Sequence, residues 1–327
     1  MADILDPAER LQALVAAQAP QFASGFSLLV RDIKSDIDLA HIADLLERGR
    51  FEEALTETLR RAPGLGGLYT EAFVAAAKDT AEFLNKNLEF LVVHFDQTNP
   101  FAMQLARENQ LRLVREFTQA QARATREAIL EGIRTGANPA QQARNFKDSI
   151  GLTEHQVKAV NNYKRLLSEG DKAIFDRALR DKRFDSTVRR AIEQNKPLTR
   201  TQIDRMVDRY RERFIDFRAT TIARTEALGS VHAGNLAMYE QAIAAGLDPA
   251  GLSTEWNTAL DERVRGTHSS MHGQVVQFGE RFTSGKGNTT LIPGGFGVAE
   301  EDIQCRCAVG TRIKELAPVP GLSVEFL

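Results

Sequence analysis

Helix start and stop signals recur from Asp6 to Gly246, and a chain punctuated this way is committed to a mainly α fold. Asp6, Pro7 and Glu9 form a capping box, and the helix they open is predicted to stop before Pro20. The pieces DIDLAHIADLLERG and RFEEALTETLRRAPG read as a helix pair broken at Gly49, with Leu39, Ile42, Ala43, Leu45 and Leu46 as the apolar stripe. A long helix is predicted from Tyr69 to His94 and another from Asn99-Pro100 to Gly136. Asn138-Pro139 opens the next, ending at Gly151, and Thr153 with Gln156 caps one that ends at Gly170. Thr201 is placed to cap TQIDRMVDRYRERF, and helical character continues to Gly246.

At Asp248-Pro249 the texture changes. Short β-branched pieces such as QVVQF and the loop GKGNTTLIPGGFG imply a small α+β module, whose helix is predicted to run from Asp261 to Gly273. The expected organisation is a long helical region over 1–140, a second helical part over 141–246, the module over 247–315 and a C-terminal tail over 316–327.

A length of 327 residues predicts about two or three folding units. With 43% hydrophobic and 26% charged residues, and no apolar run near the roughly 20 residues needed to span a bilayer, no membrane partner is expected. The start, MADILDPAERLQ, is acidic where an export signal would be basic, so an intracellular product is expected. Net charge is −2, so any attraction to DNA must be local. Between Arg177 and Arg218, thirteen Lys and Arg face seven Asp and Glu. The plainer reading is a solvated face of ion pairs; the sharper one is a phosphate-contacting surface, with Arg189, Arg190, Arg205 and Arg209 as its candidate contacts to double-stranded DNA.

The last quarter gathers chemistry. On the predicted helix, Asp261, Arg265, His268 and His272 are spaced four, three and four residues apart and share one face. Cys305 and Cys307 are the only cysteines; spaced C-x-C, they cannot build a disulfide framework, but in an extended stretch both would point to one side. Two sulfurs with one or two imidazoles suit tetrahedral Zn2+. Against this stand an ordinary ion pair between Asp261 and Arg265, histidines bonded to carbonyls, and buried thiols acting as small hydrophobes. HSSMH has Ser269 where a metalloprotease helix carries glutamate, and neither a phosphate-binding loop nor a G-x-S-x-G elbow occurs, so no familiar hydrolase is visible.

ARTEA (223–227), EW (255–256), LDERVRGTH (260–268), HG (272–273), Phe282, PGG (293–295) and CRC (305–307), in that order, resemble the phage Mu F-like minor head proteins. The resemblance covers roughly residues 145 to 312 and makes 141–246 the helical part of that domain. It implies a virion or procapsid component acting in head morphogenesis beside the portal, scaffold or other head proteins, linked to genome packaging or delivery. It implies no established catalytic reaction. Its setting would be the procapsid interior, reached from the host cytoplasm during assembly. Matching positions include Arg224, Glu226, Arg265 and Arg306 as structural residues, and Asp261, His268, Cys305 and Cys307 as a ligand set; His272 stands where the family pattern varies in type. Such a site would staple a module whose own apolar core is meagre. Two alternatives differ in class: a metal-dependent enzyme processing nucleic acid with His272 as base, and a DNA-binding protein that accompanies the genome.

Overall fold

The helical region is built from local signals that fold as they read. In this computed structural model, which describes residues 6–88 and 91–314, Asp38 accepts from the Ala40 and His41 amides, and Asn138 accepts from that of Gln141. Thr153 and Gln156 close a reciprocal capping box, and Gly170 ends the same helix in the left-handed region at φ +68°. The helices are α1 (Pro7–Asp36), α2 (Leu39–Glu47), α3 (Phe51–Thr58), α4 (Gly64–Asn87), α5 (Pro100–Arg134), α6 (Pro139–Ser149), α7 (Glu154–Glu169), α8 (Asp185–Glu193) and α9 (Arg200–Ala244). The fold is mainly α with a small C-terminal module, as the punctuation requires.

Three boundaries differ from expectation, each for a physical reason. The first helix does not stop before Pro20 but runs through it. Phe22, Phe26, Val30 and Ile33 recur at helical spacing beyond the proline and are buried, and burying each contributes about 1.5–3 kcal/mol, which outweighs the ~3 kcal/mol a proline costs inside a helix. α9 is capped by Thr199 and not by Thr201: its hydroxyl accepts from the Gln202 amide while the Gln202 side chain accepts from the Thr199 amide. The helix predicted from Tyr69 to His94 ends at Asn87, and the Asn85 side chain bonds both backbone groups of Val93, which lies beyond the helix.

α1 also departs from the expectation that no stretch approaches membrane length. Its most apolar eighteen-residue window has a mean hydropathy of 1.3, enough by length and composition to cross a bilayer. Only 17% of that window is buried, while Leu11, Phe22, Phe26, Val30 and Ile33 of α1 are buried at helical spacing.

The chain divides into two compact units of interleaved segments. One comprises residues 23–67 and 111–220; its core gathers Leu152 from the turn before α7 with Val157, Val160, Tyr163, Leu166, Val188, Met206 and Tyr210 from α7, α8 and α9. The other comprises the described residues of 1–22, 68–110 and 221–327 and holds the C-terminal module. The expected boundaries were sequential, whereas these units are not. The tail over 316–327 lies outside the described residues.

Within the module, β1 (Leu252–Asn257), α10 (Gly266–Ser269), β2 (Val275–Gln277), β3 (Phe282–Thr283), β4 (Thr289–Thr290), α11 (Ala299–Asp302) and β5 (Ala308–Ile313) follow in order. β1 is the middle strand of an antiparallel sheet ordered β2-β1-β5, and β3 pairs with β4. Leu252, Thr254 and Trp256 alternate inward along β1. In the second unit α9 packs on α4 at Gly234, where an added Cβ would meet the Phe73 carbonyl oxygen at 2.2 Å.

Candidate metal centre

Strand pairing delivers the cysteines. Asn257 pairs with Ala308 and Trp256 with Val309, so the residue just before β5, Cys307, is carried to the buried end of β1. Period-two alternation then puts Cys305 and Cys307 inward and Arg306 outward, as an extended CRC predicts. Trp256 also closes the loop that supplies the histidine: its amide donates to the Gln274 carbonyl at 2.9 Å and its carbonyl accepts from the Gly273 amide at 2.8 Å. The chain between is folded back over the indole, and His268, on α10, packs edge-on to Trp256 and stacks on Phe296. Trp256, Met271, Phe282, Leu228 and Val309 complete a small core of aromatic and aliphatic side chains around the thiols.

The result is a triad. His268 Nδ1 lies 3.6 Å from Cys305 Sγ and 3.4 Å from Cys307 Sγ, and all three side chains are buried. The Cys305 thiol is drawn well below its ordinary range by the hydrogen bond that the Cys307 thiol donates, which outweighs burial, with His268 adding to the effect. The same contact and burial push the Cys307 thiol upward. One proton is thus given up readily and the second is held, the state a soft cation would displace.

The imidazole's other nitrogen faces Glu301. Nε2 lies 3.0 Å from Oε2 of that buried carboxylate, somewhat off the line of the N–H. Burial acts to raise the Glu301 carboxyl, but hydrogen bonds from Thr267, Asn288 and Ser284, with the nearby His268, outweigh it and hold the group below its ordinary value. Glu301 was not singled out from the sequence. The only available signal was the acidic run Glu300, Glu301, Asp302 ahead of QCRC, and nothing local distinguishes the middle residue from its neighbours.

Other expected residues are placed differently. The helix predicted from Asp261 to Gly273 is confined to Gly266–Ser269, because Leu260 takes a left-handed φ of +52° and the Asp261 carboxylate turns back onto the Arg263 amide. Asp261 therefore does not reach the sulfurs; both its oxygens pair with Arg306, the residue between the cysteines. Arg265 does not orient that carboxylate either, and donates instead to the Ile303 carbonyl. His272 Nδ1 accepts from the Thr258 amide at 3.2 Å and stays out of the triad.

The ARTEA segment of α9 explains itself in contacts. Thr225 Oγ1 accepts from the Gln304 amide at 3.0 Å, and Thr221 Oγ1 from the Gln304 side chain at 2.9 Å, so the helix grips the residue that precedes Cys305. Gln304 is held at φ +56°. One turn further along, a Cβ on Gly294 of PGG would come within 3.3 Å of the Gly229 Cα, a glycine-on-glycine crossing that Gly294 enters at φ +81°. Arg224 is partly desolvated beside Arg306, and burial together with that neighbouring charge lowers its pKa; Glu226 is buried.

The basic stretch lies in the other unit, and several of its arginines are held in ion pairs. Arg209 bonds Glu212 at 2.7 Å and approaches the buried Asp181, which also holds Arg183 and Arg213. Arg189 lies over Phe175 and within 3.9 Å of Asp185, and Arg205 lies over Phe184. Arg190 is exposed on α8.

Comparison with known proteins bears on this geometry directly. Residues 182–310, which contain the triad, Glu301, Asp261 and the ARTEA segment, match the family described as Phage Mu protein F like protein. Over this segment the chain carries a Mu F-like region, as the spaced motifs indicate. Minor head protein GP7 of Bacillus phage SPP1 is 34% identical over 92 residues, 28% of this chain and 29% of that protein. NAD(+)--arginine ADP-ribosyltransferase EFV of Enterococcus faecalis is 33% identical over 108 residues, 33% of this chain and 20% of that protein. The chain thus spans less than a third of either relative. No solved structure matches.

Proposed function

We propose that the protein acts in phage head morphogenesis as a structural component of the procapsid interior, docking on the portal or neighbouring head proteins, with a C-terminal module stapled by Zn2+. The observation that carries the role is the match of residues 182–310 to the Mu F-like family, joined by the likeness to a minor head protein. In this reading residues 141–246 and 247–315 work together, α9 supplying the platform to which the CRC segment is tied through Thr221 and Thr225. Residues 1–140 are free to contact partners through helix faces. The test is co-expression with portal and capsid proteins: co-sedimentation with procapsids is the expected result, and exclusion from portal-containing particles would overturn the role.

The donor set fits the ion. In a tetrahedral zinc site with Zn–S near 2.3 Å and Zn–N near 2.0 Å, nitrogen and sulfur stand about 3.5 Å apart. The two Nδ1-to-sulfur distances here are 3.4 and 3.6 Å. His268, Cys305 and Cys307 would hold the ion, leaving the fourth position to a non-protein ligand such as water; when bound, the ion would cross-link α10 to the start of β5. Burial of all three side chains, at 1–2% exposure, favours a structural metal over the processing of nucleic acid, since a polymer has no approach to these atoms. Zinc content near one per chain, abolished in Cys305→Ser, is expected; a metal-free wild-type protein purified without chelator and unable to take up zinc would refute the staple.

A further inference from the structure

We infer that Glu301 is the positioning residue of the proposed centre, a buried anion that turns His268 so that Nδ1, and not Nε2, faces the two thiols. This rests on the zinc reading but concerns a residue outside the ligand set. The observations are geometric. Glu301 is 1% exposed, and its Oε2 takes the Thr267 hydroxyl at 2.8 Å while standing 3.0 Å from His268 Nε2. Its Oε1 accepts from Ser284 Oγ at 3.0 Å and from Asn288 Nδ2 at 3.2 Å. The carboxylate is therefore held from both sides by three segments: the start of α10, the turn between β3 and β4, and α11 itself.

Such an arrangement has one chemical consequence for the ring. A carboxylate beside Nε2 favours the tautomer with its proton there, which leaves the Nδ1 lone pair free to bind a cation. The side chain that faces a buried anion on one edge and two sulfurs on the other has both edges assigned, and stacking on Phe296 fixes the ring plane. The hydroxyl and amide donors leave the carboxylate little freedom to turn away. Outer partners of this kind, when removed, typically lower metal affinity about 10–100-fold.

The test compares wild type, Glu301→Gln and Glu300→Gln by chelator competition for zinc and by the thiolate-to-cobalt charge-transfer band after Co2+ substitution. Folding is monitored by helical circular dichroism and by fluorescence of Trp256, the sole tryptophan, which touches the His268 ring. The expected result is that folded Glu301→Gln binds zinc 10–100-fold more weakly with an altered cobalt band. Glu300→Gln, at the exposed neighbouring carboxylate that pairs with Lys286 and does not face His268, should keep wild-type affinity. A folded Glu301→Gln with wild-type affinity and spectrum overturns the inference and leaves the zinc reading standing; a wild type that binds neither ion overturns both. Should Glu301→Gln fail to fold, Thr267→Val serves in its place, because it loosens the oxygen that faces Nε2: a several-fold weaker affinity supports the inference and an unchanged one refutes it.

Discussion

His232 sits on α9 with 1% of its surface exposed and no partner for Nε2, near the guanidinium of Arg10. Burial, helped by the Arg10 charge, pushes its pKa from 6.5 down to about 3. The unfolded chain therefore binds a proton that the folded chain refuses, so stability is full above pH 6.5 and is lost as pH falls from there toward 3. Between pH 7 and pH 5 this one residue should remove about 2 kcal/mol. Urea denaturation at the two pH values should show that loss in the wild type and a shallower slope in His232→Gln, which has nothing to titrate; equal slopes would show that His232 is protonated in the native state. A second residue-scale prediction separates ligands from their supports. Asp261 clamps Arg306 and does not reach the sulfurs, so Asp261→Asn should retain metal stoichiometry while Cys307→Ser or His268→Ala loses it, read by metal analysis of the purified variants.

Two glycines in the interior of α9 carry the same helix-propensity penalty yet should respond oppositely to alanine. Gly229→Ala meets nothing closer than the Gly294 carbonyl oxygen at 3.9 Å, so the gain of roughly 0.8–1 kcal/mol from replacing glycine in a helix should appear in full. Gly234→Ala would drive a methyl into the Phe73 carbonyl at 2.2 Å, and forcing α4 and α9 apart should cost about 1–3 kcal/mol or more. Thermal denaturation of the two variants decides it, and destabilisation by Gly229→Ala would mean that the PGG loop packs closer than it is placed here. The same contrast explains what was legible in the sequence. Caps such as Asn138 and the Thr153–Gln156 box are contacts between residues three apart, so the string of letters contains both partners. Passage of α1 through Pro20 depends on what buries Phe22 and Phe26, and diversion of the Asp261 carboxylate from the thiols depends on Arg306, 45 residues away. The thiols and His268 were legible because few residue types do their chemistry; Glu301 was not, because its distinction from Glu300 and Asp302 lies wholly in the partners that surround it.

Net charge and metal linkage act on the molecule as a whole. With an overall charge of −2 and Arg180, Arg183, Arg209 and Arg211 paired with Asp185, Asp181, Glu212 and Asp208, part of the local surplus of positive charge is neutralised and less remains to release counterions from a duplex. Duplex DNA binding should be weak at low salt and change little in Arg205→Ala/Arg209→Ala; a steep salt slope that those substitutions flatten would instead make this surface a DNA contact. The metal, in contrast, would couple to folding. An ion that binds only the native arrangement of His268, Cys305 and Cys307 stabilises that state in proportion to the logarithm of its free concentration over Kd, about 4 kcal/mol at a thousandfold excess. Stripping it with a strong chelator should lower the transition of the unit that carries the module by on the order of 10 °C, with recovery on adding Zn2+ but not Mg2+. In Cys305→Ser the transition should already sit at the chelated position and ignore zinc. A wild-type transition indifferent to chelator and to zinc would mean that the buried thiols and imidazole are held by their own hydrogen bonds and the aromatic core around Trp256, with no ion between them.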